Sequence, residues 1–110
     1  MSQTVTVGQF KLVDPRTRIG YFKLVGTDVV PCADVREWGA FFETGQRQVA
    51  RDRRDGVEVS TVFLGIAQDG GMFETMIFGG RFVDDEYQTR CSTYDEALDM
   101  HAAACIEAFG

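Results

Sequence analysis

The chain has a single histidine, and its three cysteines lie far apart. With neither a C-x-x-C nor an H-x-x-x-H spacing, the usual pattern of a four-ligand zinc centre is missing, and no metal or other cofactor is expected. The odd set Cys32, Cys91 and Cys105 makes no disulfide framework and suits reduced, buried thiols. Long hydrophobic runs are missing too. Every apolar stretch is broken by Gly or a charge well short of bilayer length, so no membrane partner is expected. The opening MSQTVTVGQF has neither the basic nor the apolar region of a signal peptide, which makes the cytoplasm the expected location. Basic charge is scarce: 11 Lys and Arg face 17 Asp and Glu, a net charge of −6. That balance argues against direct nucleic-acid binding as the main purpose. The glycine pairs Gly70-Gly71 and Gly79-Gly80 fit neither dinucleotide-binding nor P-loop spacing, and read as turns.

What is present is an ordinary globular composition, 45% hydrophobic and 25% charged, over 110 residues. That length suits one domain with its own core. From Ile66 onward nine acids face two bases, whereas the residues up to Gly65 carry eight acids and nine bases. The negative charge therefore belongs to the C-terminal half.

Thr4–Val13 and Ile19–Val25 are rich in β-branched and aromatic residues around Asp14-Pro15, which predicts an N-terminal hairpin over 4–25. Asp34 with Glu37, and Thr93 with Glu96, are capping-box pairs, predicting helices over 35–44 and 94–108. Gln48–Arg54 reads as a polar strand, Asp55-Gly56 as a hairpin turn and Tyr87–Cys91 as a last short strand. Between them lies VSTVFLGIAQDGGMFETMIFGG, a central hairpin within 57–80. A four-residue loop Gln68–Gly71 places Gly65 opposite Glu74 and Leu64 opposite Thr75. Val62, Leu64, Ile66, Phe73 and Ile77 then share one face, and Thr61, Phe63, Gly65, Glu74, Met76 and Phe78 the other. The expected fold is a single α+β domain, an antiparallel sheet with two helices. If both helices cover one side, Phe63, Met76 and Phe78 form an exposed apolar patch, the mark of a homodimer or partner interface.

From Val30 to Ile106 the chain resembles a family of small proteins from bacterial, especially actinobacterial, and bacteriophage genomes. The residues carrying the likeness are VPC at Val30–Cys32, Trp38 with Phe42-Glu43-Thr44, Val49-Ala50, VSTVFLG at Val59–Gly65 and FETMIFGG at Phe73–Gly80. Ser92-Thr93, Glu96-Ala97 and His101 complete it. The resemblance implies a setting in phage or mobile DNA and, for a phage product, the host cytoplasm; it implies no activity. Relatives carry Asp-His and a longer loop where this chain has Ala67–Gly71, so no role is carried over to that loop.

Four groups of side chains are candidates for function. Glu74, a carboxyl in an apolar strand, suits acid–base chemistry, but with no partner group evident a structural role, reaching a backbone amide, Arg81 or the rim, is the favoured reading. His101 and Cys105, four apart on one helix face, suit a nucleophile pair only if a third group orients them; otherwise they are packing residues. Together these three are the enzyme reading. Arg47, Arg51 and Arg53 alternate onto one strand face, with Asp52 and Asp55 interleaved, which reads first as a solvated face rather than a nucleic-acid site and, if functional, suits an acidic protein partner. Asp84, Asp85, Glu86, Asp95, Glu96 and Asp99 form the acidic half, able to meet a basic partner or to mimic phosphates in a nucleic-acid channel. Missing catalytic motifs favour a protein-interaction module over an enzyme. In a phage setting, a modulator of host machinery such as an inhibitor of an antiphage defence complex is its concrete form.

Overall fold

The computed structural model describes residues 20–67 and 71–110. The chain enters as β1 (Gly20–Val25) and turns through Gly26 and Thr27 into β2 (Asp28–Pro31), with Val25 facing Asp28. The strand expected at Thr4–Val13 lies outside the described residues. After Pro31, Asp34 accepts a hydrogen bond from the Glu37 amide at 3.0 Å, and the Glu37 carboxylate accepts one from the Ala33 amide at 2.7 Å. These bonds satisfy free amides at the start of α1 (Val35–Glu43), so the helix begins where the acid pair places it.

β3 (Gln48–Arg54) and β4 (Val57–Phe63) are joined at Asp55-Gly56, both with positive φ, 52° and 81°. That is the paired left-handed geometry of a tight hairpin, and Asp-Gly adopts it readily. β4 pairs on its other side with β6 (Phe73–Phe78), and a 3-10 turn (Gly80–Val83) leads into β7 (Tyr87–Cys91). α2 (Tyr94–Phe109) opens on a full capping box, with the Thr93 hydroxyl on the Glu96 amide and the Glu96 carboxylate on the Thr93 amide.

The four-stranded antiparallel sheet runs β3-β4-β6-β7. A second sheet runs β2-β1-β5, its last strand being the two residues Ile66–Ala67. The same run of chain thus leaves one sheet after Phe63 and enters the other, where Tyr21 faces Ile66. Gly65 makes the kink with φ +74°, and a Cβ there would lie 2.8 Å from both the Phe22 carbonyl oxygen and the Trp38 Nε1. Only glycine fits both the backbone and the space.

This kink corrects the expected register. Leu64 donates its amide to the Met72 carbonyl, and Phe63 faces Phe73, Thr61 faces Thr75 and Val62 faces Glu74. The pairing is offset by three residues from that of a simple four-residue loop. An odd offset turns one strand over relative to the other. Val59, Thr61, Phe63, Phe73, Thr75 and Ile77 therefore share the face under α2, and all six are buried.

Two packed clusters result. Phe22, Leu24, Phe41, Phe63, Phe73 and Ala97 draw on both sheets and both helices, and Val59, Ile77, Phe82 and Ala104 continue under the far half of α2. The fold is a single α+β domain. No helix among the described residues is long and apolar enough to cross a membrane.

Candidate functional site

The face of the sheet under α2 carries polar residues in a hydrophobic setting. Thr61 and Thr75 face each other across β4 and β6, both fully buried, with their hydroxyls hydrogen-bonded together. His101, one turn beyond Ala97 on α2, places Nδ1 2.8 Å from the Thr61 Oγ1. Its Nε2 lies 2.7 Å from Oδ2 of Asp52, which β3 presents from the sheet edge. In a neutral ring one nitrogen donates and the other accepts. Nε2–H donates to the carboxylate, so Nδ1 accepts from Thr61, whose own oxygen accepts from Thr75. Cys105 completes the group, with its thiol 3.6 Å from the same Asp52 oxygen.

Carboxylate, imidazole and hydroxyl stand here in the order of a hydrolytic triad, but the accessible end is the wrong one. The hydroxyl is fully buried, whereas 59% of the Asp52 side chain is exposed. A nucleophile sealed in the core meets no substrate. Cys105 is no better placed, since burial first and the neighbouring Asp52 carboxylate second push its thiol above the ordinary range. The hydrogen bond from His101 is the main cause holding the Asp52 carboxyl below its usual value. The same arrangement fastens α2 to the sheet.

Glu74 lies on the opposite face. Its neighbour Thr75 points toward α2, so Glu74 points away, where Arg90 Nε meets its Oε2 at 3.0 Å and Gln88 also donates to it. The three residues of the enzyme reading are thus divided by the sheet. The apolar patch is corrected as well: Phe63 is fully buried, while Met76 is half-buried and Phe78 exposed on the other face. The register change separates them.

Arg47, Arg51 and Arg53 do not share one face either. A bulge falls between Gln48, opposite Val62, and Ala50, opposite Thr61. The alternation therefore resets. Arg51 joins Glu58 on the open face in an ion pair at 3.0 Å, whereas Arg47 lies over the Phe42 ring, 5.2 Å from its centre. The acidic residues are exposed but divided. Asp84–Glu86 precede β7 and Asp95 follows it, so roughly 16 Å of strand separates the groups. Glu96 is committed to its helix cap.

Arg47 leads to a feature that the sequence does not signal. Trp38 and Phe42 of α1, Arg47, Leu64 and Ile66 wall a cleft of about 330 Å³ that Arg90 and Gly71 complete. The Trp38 and Phe42 rings pack against each other at a tilt of 39°, with centres 4.6 Å apart. Two buried donors of these residues, Trp38 Nε1 and Arg47 Nε, have no hydrogen-bond partner among the described residues. Such orphans are uncommon, because each costs the desolvation of a polar group. Asp52 is the other residue that sequence reasoning missed. Its signal was the acid interleaved among alternating arginines, which turns it toward the helix.

No family model, curated protein or solved structure matches the chain. The chemistry of these sites must carry the functional argument.

Proposed function

We propose that the protein is a non-enzymatic interaction module whose recognition site is the Trp38–Arg47 cleft, taking an acidic side chain from a partner protein as its anchor. The observation that carries this reading is the pair of buried N–H donors without a partner among the described residues, beside packed aromatic rings. Taking up a carboxylate requires the Trp38 and Arg47 side chains to turn these covered donors toward the cleft, and the charge-assisted hydrogen bonds gained, stronger than neutral ones, offset that movement. The volume, about 330 Å³, suits one or two side chains. The cleft also draws mainly on the N-terminal half, which carries none of the net negative charge. Exposed acids at both ends of β7 would extend the contact to basic residues of the same partner. Taken with the resemblance to phage-encoded proteins, the reading is of a modulator of host machinery, an inhibitor of an antiphage defence complex being one form.

Trp38 is the only tryptophan, so its fluorescence reports the cleft directly. A blocked tetraglutamate peptide should shift its emission saturably, and the matching glutamine peptide should not. Arg47→Gln should weaken the response about tenfold, the effect of roughly 1.4 kcal/mol. Equal responses to the two peptides, or none to either, would overturn the assignment.

A further inference from the structure

Beneath the hydrogen bonds at the far end of α2 lies a set of donors suited to something other than a proton. Asp52 Oδ2, His101 Nε2 and Cys105 Sγ all lie within 4.8 Å of one another. His101 and Cys105 are one helical turn apart and so share a face, and β3 brings the carboxylate to meet them. We propose that these three residues form a binding site for one divalent transition-metal ion of the zinc type, with water as its fourth ligand. The proposal is independent of the cleft beside Trp38.

The donor set selects the ion. One nitrogen, one sulfur and one carboxylate oxygen suit zinc, whereas calcium and magnesium require oxygen alone. Tetrahedral zinc at its usual bond lengths holds such donors about 3.3–3.6 Å apart. The Sγ–Oδ2 separation is already 3.6 Å, and the Nε2–Oδ2 separation of 2.7 Å must open by less than about 1 Å. Asp52 is the exposed partner, on a side chain free to draw back. His101, by contrast, is buried and fixed.

The outer shell is already built. A metal-bound imidazole donates its other N–H to an acceptor that fixes the ring. Thr61 Oγ1 stands 2.8 Å from Nδ1 in that role, with Thr75 behind it. Hydroxyls both donate and accept. When the ion binds, the ring proton moves by exchange with solvent from Nε2 to Nδ1 with no net loss from the imidazole, and the Cys105 thiol gives up its proton to solvent. Nδ1–H then donates to Thr61, whose hydroxyl rotates to donate to Thr75. Nearby Arg54 does not occupy the site, since its guanidinium lies over the Phe109 ring, 4.8 Å from the centre. An ion here would join β3 to the last turns of α2.

Cobalt(II) provides the probe, because a thiolate ligand adds a near-ultraviolet charge-transfer band and tetrahedral geometry gives intense visible bands. Full-length protein under a non-thiol reductant should bind one Co²⁺ with both features, and Zn²⁺ should displace it. Zn²⁺ should raise the melting temperature and move the His101 ring nitrogens from the Nε2–H to the Nδ1–H pattern in NMR. Cys105→Ser and Asp52→Asn, whose side chains reach solvent, should abolish or weaken binding at least tenfold, while Cys91→Ser should leave it unchanged. No thiolate band and no thermal shift at saturating metal would overturn the site. So would a band that survives Cys105→Ser, which would mark adventitious binding by another thiol.

Discussion

Thr61 is the residue on which the buried polar chemistry turns. Its hydroxyl is the link between His101 Nδ1 and Thr75, in a place with no exposure to water. Valine has nearly the same shape, so Thr61→Val isolates the hydrogen bonds from the packing. It leaves an imidazole nitrogen without a partner, a loss of about 1–3 kcal/mol. Thr75→Val removes only the end of the chain and should cost less. Chemical denaturation of the two variants checks this order. If Thr61→Val proves as mild as Thr75→Val, the His101 bond contributes nothing to holding α2. Neither threonine announced this role in the sequence, where VSTVF reads as an ordinary β-branched strand. His101 was legible as a helix-face residue, but its partners come from β3 and β4, tens of residues away.

At the scale of elements, local chemistry was the part that could be read. The start of α1 at Val35, the start of α2 at Tyr94 and the Asp55-Gly56 turn follow from capping and turn residues that act within a few positions. The register of β4 against β6 was not legible. Apolar residues line both faces of the stretch, so alternation did not select one pairing, and the claim of β1 on Ile66 is a long-range event. The capping box of α2 gives a prediction of its own. The amides of Ser92 and Thr93 donate to Glu96, and these bonds hold its carboxyl below the ordinary value. A folded-state value lowered in this way contributes stability above the unfolded value, which is lost as the pH falls through the folded one. Glu37, lowered chiefly by its bond from Lys23, and Asp52 act in the same direction. Glu96→Gln keeps an acceptor for the cap but not the charge. The fall in stability from about pH 6 to about pH 3 should therefore be smaller in the variant than in the parent. Equal falls would assign the acid sensitivity to other carboxylates.

For the whole molecule, the question is whether two sheets make one cooperative unit. Phe22 and Leu24 from one sheet interlock with Phe63 and Phe73 from the other, under Phe41 of α1 and Ala97 of α2. Losing either sheet would open this cluster, leaving the smaller sheet without a core and the larger one only the four-residue cluster under the far half of α2. Trp38 fluorescence, which reports α1 and the smaller sheet, and far-ultraviolet circular dichroism, to which α2 contributes strongly, should give coincident unfolding curves. Gly65 is the junction, and it tests the coupling. An alanine there meets a left-handed backbone, worth roughly 1–2 kcal/mol against any L side chain. It also meets the Phe22 carbonyl, a backbone atom that yields only if β1 shifts. Gly65→Ala should therefore lower stability by about 2 kcal/mol or more while the two curves still coincide. If fluorescence instead melts ahead of the dichroism, α1 and the smaller sheet can detach while α2 and the larger sheet persist. The six-residue cluster would then be a contact between two units rather than the core of one.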